Sequence, residues 1–162
     1  MDNSAKIQKP ATRKKARRYA VQGIYQWHMS GNQVKDIEQQ FLETINAKKV
    51  DLEYFQEILV NTLTNIDQID ELVVPVLDRD IAEVNPVELA IIRLACYELM
   101  SRLDVPYRVV INEALELTKT FGAQDGHKFV NGILDKLAKE TRKMEIEIAR
   151  FQGELDKRIN EA

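Results

Sequence analysis

The chain has 162 residues, of which 44% are hydrophobic and 30% charged, with only six glycines and four prolines. That balance suits one globular unit with a real core and argues against disorder; scarce turn formers argue against an all-β fold and for long helices. The net charge of −3 speaks against nucleic acid until it is mapped: residues 1–18 hold seven bases and one acid, the other 144 residues 16 bases and 25 acids, a basic arm on an acidic body.

In chain order, residues 1–10 read as a flexible tail ending at Pro10. A helix is predicted from Thr12, its cap, with Ala16, Ala20, Ile24 and Trp27 at helical spacing and a stop at Gly31-Asn32. Val34, Ile37, Phe41, Leu42 and Ile45 trace a second amphipathic helix. Asp51 can cap a third, with Leu52, Phe55, Leu59, Leu63 and Ile66 on one stripe. A break near Asn65 to Asp70 precedes a short fourth helix that Pro75 keeps irregular. Asn85-Pro86 is a strong start signal for the most apolar helix, which runs to about Leu103. Asp104-Val-Pro106 turns the chain into a helix over Val109, Val110, Ala114, Leu117 and Phe121, closed by Gly122. After the polar loop Ala123–His127, a last core helix carries Phe129, Val130, Ile133, Leu134 and Leu137; its stripe outweighs the turn signal of Asn131-Gly132. Beyond Lys139 the chain is charged, with Met144, Ile148, Phe151, Leu155 and Ile159 in a heptad-like stripe that could pack on the body, pair with a partner or fray.

Enzyme chemistry finds no foothold. His28 and His127 lie on different elements without ligand spacing, and Gly122 to Gly126 lacks the lysine and hydroxyl of a phosphate-cradling loop. No serine or cysteine nucleophile motif occurs; Cys96 sits in an apolar run and reads as a buried thiol. No metal and no cofactor are expected. No apolar stretch is long enough for a membrane span and no signal core follows the basic N-terminus, so the chain reads as cytoplasmic.

RNA binding is the functional expectation, weighed against a merely solvated basic face. Arg13, Lys14, Lys15, Arg17 and Arg18 place five cations within six residues, with Arg13 and Arg17 on one helical face and Lys14 and Arg18 on the next. They lead into Tyr19, Tyr25 and Trp27; Tyr25 is the better stacking candidate because Trp27 falls on the core stripe. A second polar cluster, Phe121 to Gly132, combines a helix N-terminus suited to phosphate with Lys128, Asn131 and Phe121.

Three blocks, Arg13-Lys-Lys-Ala-Arg17 through Trp27, Asp104 to Gly122, and His127-Lys-Phe-Val-Asn-Gly-Ile-Leu-Asp135, resemble the bacterial transcription antitermination factors of the NusB family, in one colinear order over roughly residues 9–140. The resemblance implies an all-α fold of about seven helices in two small subdomains, with residues 11–140 as the RNA-binding unit; residues 141–162 depart from it, exceeding the shorter members, and read as a charged amphipathic C-terminal helical extension. It implies no enzyme but a factor that binds single-stranded boxA-type RNA together with the small-subunit ribosomal protein NusE, in an assembly with other Nus factors and RNA polymerase on ribosomal RNA operons. Carried over by position, Arg13, Lys14, Arg17 and Tyr25 belong to the RNA surface, with Lys15 in the same basic run, and Phe121, Asp125, Lys128 and Asn131 line its other side. Asp125 is out of place beside phosphate and would orient a neighbour or temper affinity. Glu88 matches a position near the ribosomal-protein interface. The alternative is a protein-only helical adaptor that oligomerises through the C-terminal stripe; a homodimer that buries the RNA surface also stays open.

Overall fold

A computed structural model describes residues 10–122 and 125–161. Most of the N-terminal tail, with Lys6 and Lys9, and Ala123 and Gln124 of the polar loop lie outside the described residues. Eight α-helices run through the described chain: α1 (Pro10–Ser30), α2 (Val34–Thr44), α3 (Leu52–Thr64), α4 (Ile66–Val73), α5 (Pro86–Ser101), α6 (Tyr107–Phe121), α7 (Gly126–Thr141) and α8 (Lys143–Glu161), with short 3-10 turns at Val74–Val76 and Ile81–Glu83. The expected all-α fold is observed, seven core helices and a helical extension.

Local chemistry sets the boundaries. Asp51 Oδ1 accepts from the Tyr54 amide at 3.1 Å, and Asn85 Oδ1 accepts from Val87 and Glu88 amides at 2.9 and 3.3 Å with Pro86 at the first helical position. Gly31 adopts φ 71°, the left-handed conformation that ends α1. Pro75 confines its segment to a 3-10 turn. The expected start of α1 needs correction. The helix is already formed at Pro10, because proline is tolerated in a first turn whose amides have no partner, and Thr12 is an interior residue whose carbonyl accepts from the Asp51 amide at 3.2 Å.

Helices α1–α3 form one packed group and α4–α7 a second, and α5 joins them in a continuous core. Leu89, Ile91, Ile92, Leu94, Cys96 and Leu99 of α5 are all fully buried, which accounts for its apolar sequence on every side. Burial pushes the Cys96 thiol up to about 12. Helix α3 presses so closely on α1 that a Cβ on Gly23 would lie 2.8 Å from Leu59 Cδ1. Among the described residues no helix is long and apolar enough to cross a membrane.

The last helix is anchored at its root and bare beyond it. Buried Arg142, between α7 and α8, donates to the carbonyls of Glu98, Leu99, Arg102 and Val105 at 2.7–3.1 Å, and so caps α5. Its Nη1 also donates to Glu145, whose other oxygen accepts from the Tyr107 amide at the start of α6. Ile146 packs on the core. Two residues is about 200° of helix, so Met144 and Ile148 face away from the body, and Phe151, Leu155 and Ile159 continue their stripe. All five are exposed, Met144 at 74% and Ile159 at 70%.

Candidate nucleic-acid interface

Helix α1 is amphipathic in an unusual way: its buried face contains a charge. Ala16, Ala20, Val21 and Ile24 are joined there by Arg17, which is 4% exposed. Arg17 Nε and Nη2 grip the Glu98 carboxylate of α5 at 2.9 Å each, and the Tyr54 hydroxyl donates to the same carboxylate. The fork geometry of guanidinium on carboxylate makes this a strong pair, satisfied on both sides. Burial, with Glu98 adding to it, raises the Tyr54 phenol above its ordinary value.

Arg13 is drawn to the same place. Its guanidinium lies 4.3 Å from the Tyr54 ring centroid and its Nε 3.7 Å from Asp51. Arg102 completes the ring of cations around Tyr54, 4.9 Å from the centroid, and pairs with Glu57 and Asp104; its hydrogen bond holds the Asp104 carboxyl down at about 2. Lys14 reaches Glu113 of α6 at 3.6 Å. Of the cations assigned to the RNA surface, Arg17 is therefore a core residue, Arg13 a half-buried one and Lys14 a surface ion-pair member. Lys15 has no carboxylate within 4 Å among the described residues.

The aromatic pair is brought together. Lys14 pairs with Glu113, and Tyr25 shares a groove with Phe121, so α1 and α6 point the same way, while Arg17 on Glu98 and Val87 in that groove give α5 the opposite course. At the far end of α1 an open groove of about 640 Å³ is lined by Val21, Gln22, Tyr25, Gln26, Met29 and Ser30 of α1, Phe41 of α2, Val87 of α5 and Phe121 of α6. Tyr25 is 38% exposed and Phe121 half-buried. An apolar groove with two accessible rings and amide rims suits the faces of unpaired bases.

The start of α7 is less open to phosphate than its sequence suggests. Asp125, Lys128 and Asn131 are exposed, the last two on one helical face. The Asp125 side chain makes no cap. Glu88, 7% exposed, turns its carboxylate on Gly126, where a Cβ would lie 2.8 Å from Oε2. A buried carboxylate thus already occupies the positive end of α7. Glu88 thus braces the start of α7 from the first turn of α5. Phe129 is covered by the Arg79 guanidinium, 4.3 Å from its ring. Trp27 packs against the core under Arg93, in keeping with its place on the apolar stripe.

Sequence reasoning missed Gln22, Gln26 and Met29 as groove residues. Only the groove itself distinguishes them from other exposed polar or flexible side chains on α1.

Residues 14–139 of the chain match the family model described as the NusB family. The transcription antitermination protein NusB of Shewanella piezotolerans is 58% identical over 134 residues, covering 83% of this chain and 99% of that protein. Its counterpart in Shewanella amazonensis is 60% identical over 129 residues, covering 80% and 96%. Among solved structures, T. maritima NusB aligns with a TM-score of 0.73 and 30% identity over 83% of this chain and 96% of that one. A structure of the antitermination factors NusB and NusE in complex with dsRNA aligns at 0.71 and 27% identity, over 82% and 99%. The family match ends before α8 begins.

Proposed function

The chain belongs to the NusB family, and from that premise we propose that it is a transcription antitermination factor that binds boxA-type RNA together with the ribosomal protein NusE. It acts in the cytoplasm, within an assembly with other Nus factors and RNA polymerase that sustains transcription of ribosomal RNA operons, and it catalyses no reaction itself. The observation that carries this reading is the groove lined by both Tyr25 and Phe121 at the far end of a cationic helix. Tyr25 and Phe121 stack bases, while Lys14, Lys15, Lys128 and Asn131 contact phosphates and base edges. Arg13 and Arg17 act through the orientation of α1, and Asp125 tempers the charge beside Lys128. Glu88 serves the partner surface indirectly, through the placement of α7.

The stacking groove favours unpaired bases, whereas the similar NusB–NusE structure is a complex with dsRNA, so the test includes both forms. Fluorescence anisotropy would compare labelled single-stranded boxA-type RNA, a scrambled strand and a duplex, with and without NusE, across a salt series. Selective binding of the boxA strand that tightens with NusE is the expected result. Equal weak binding to all three, indifferent to NusE, would sink the reading.

One observation favours a second reading, a protein-only adaptor: the outward stripe of α8. Sedimentation of the wild type beside an Ile148→Glu/Phe151→Glu variant decides it, since self-association through the stripe requires the variant alone to lose a larger species.

A further inference from the structure

The cations that have partners and those that have none point to different sides of α1. Arg13, Lys14 and Arg17 each have a carboxylate within 4 Å, whereas among the described residues Lys15, Arg18 and Lys49 have none. These last three line one concavity of about 230 Å³ between α1 and the loop joining α2 to α3, together with Tyr19, Gln22, Asn46 and Val50. The loop is built to present them. Asn46 accepts from the Lys48 amide through Oδ1 and from the Lys49 amide through its carbonyl, both at 3.0 Å. That turn carries Lys49 back toward α1 and leaves the Asn46 Nδ2 donors for the concavity. Asp51, the nearest acid along the chain, is spent elsewhere, accepting from the Tyr54 amide and facing Arg13. The lining therefore offers three cations, two amides and a phenol around the buried floor of Val50, with no carboxylate. Such a lining has the chemistry to hold a phosphate.

Gln22 lines this concavity and the Tyr25–Phe121 groove alike. The two are neighbours across one ridge of α1, one apolar with aromatic walls, the other cationic. We infer that the Lys15–Arg18–Lys49 concavity is a second RNA subsite, which holds a backbone phosphate of the strand whose bases stack in the Tyr25–Phe121 groove. The inference rests on the RNA-binding reading above and adds residues that reading did not contain, Arg18, Lys49, Asn46 and Gln22. A strand crossing α1 at Gln22 would satisfy both chemistries at once, with bases on the apolar side and phosphate on the cationic side.

The test uses the full chain with NusE and an Arg18→Ala/Lys49→Ala variant. Both side chains are exposed and unpaired, and a thermal melt matching the wild type verifies the fold. The variant should bind boxA and scrambled strands more weakly by the same factor, about tenfold, because phosphate contacts carry no sequence information. Its salt slope should become shallower by about 0.7 for each phosphate lost. Unchanged affinity and slope in a variant whose wild-type parent selects boxA RNA would overturn the subsite and leave the function standing. A parent that fails to select boxA, yet loses RNA affinity in the variant, would overturn the function and keep the concavity as a phosphate site. Amide chemical shifts of Asn46 and Lys49 separate the phosphate sources. Movement with RNA at matched ionic strength supports the inference, and movement with inorganic phosphate alone overturns it in favour of a free-anion site.

Discussion

The two sides of the basic turn of α1 have nearly the same composition and opposite fates. Toward the core, Arg17 is locked on Glu98 and Arg13 is held over Tyr54; toward the 46–50 loop, Lys15 and Arg18 face a concavity without a carboxylate. Six residues of sequence cannot separate them. The difference lies in what distant segments bring to each side: Asp51 at the cap of α3, Glu98 of α5 and Glu113 of α6 to one, Asn46 and Lys49 of the α2–α3 loop to the other. Cationic charge written in a sequence becomes available to a ligand only where the fold leaves it unneutralised.

The largest effect that would sharpen this contrast is on stability. Glu98→Ala leaves Arg17 buried without its counter-charge and should cost about 3–5 kcal/mol in urea or thermal unfolding; a loss below about 1 kcal/mol would mean that Arg17 swings out to solvent and can serve RNA after all. Arg142 is the second engaged arginine. Arg142→Ala should cost at least about 1.5–3 kcal/mol, the worth of one charge-assisted hydrogen bond, since the Leu99 and Val105 carbonyls lose their arginine donor while those of Glu98 and Arg102 keep a backbone amide. In the same melts Phe151→Ser on the bare face of α8 should stay within about 0.5 kcal/mol of wild type, and a clear destabilisation there would show that the stripe is covered in solution.

On the ligand side, Tyr25→Ala should weaken boxA binding by about 1–3 kcal/mol, the range for one base–aromatic stack, with little change in melting. Undiminished binding would remove the groove from the site. Lys14→Gln should be milder, below about 1 kcal/mol in stability because its pair with Glu113 is at the surface. An alkaline titration tests the buried cluster itself. The Tyr54 phenol is raised in the folded protein by burial and by Glu98, while the unfolded chain ionises at 10.0. Its contribution to stability is thus complete below pH 10 and falls as pH rises above it. Tyr54→Phe should flatten that alkaline decline, as followed by denaturant midpoints.

Much of this protein was legible in its sequence. Helical periodicity, Asn85-Pro86, Asp51 and Gly31 state element type and limits through local backbone chemistry, and the predominantly apolar α5 states its own burial. The assignment of Trp27 to the core followed from spacing alone. Tyr25 was the better stacking candidate and Phe121 a residue of its helix's apolar stripe that could also stack; 96 positions separate them, and only the common direction of α1 and α6 puts them in one groove. Glu88 was marked only by the family resemblance, as a position near the ribosomal-protein interface, and no local pattern announces its approach to Gly126. The stripe of α8 was plain as a pattern, while its direction depended on Ile146 and on the anchorage of Arg142 and Glu145. By itself, then, the sequence determined the helices, the core stripes and the membership of a family, because these depend on neighbours within a turn or two. Only the tertiary structure decided which cations are free, which carboxylates are spent and which aromatics meet, because each of those depends on a partner brought from a distant part of the chain.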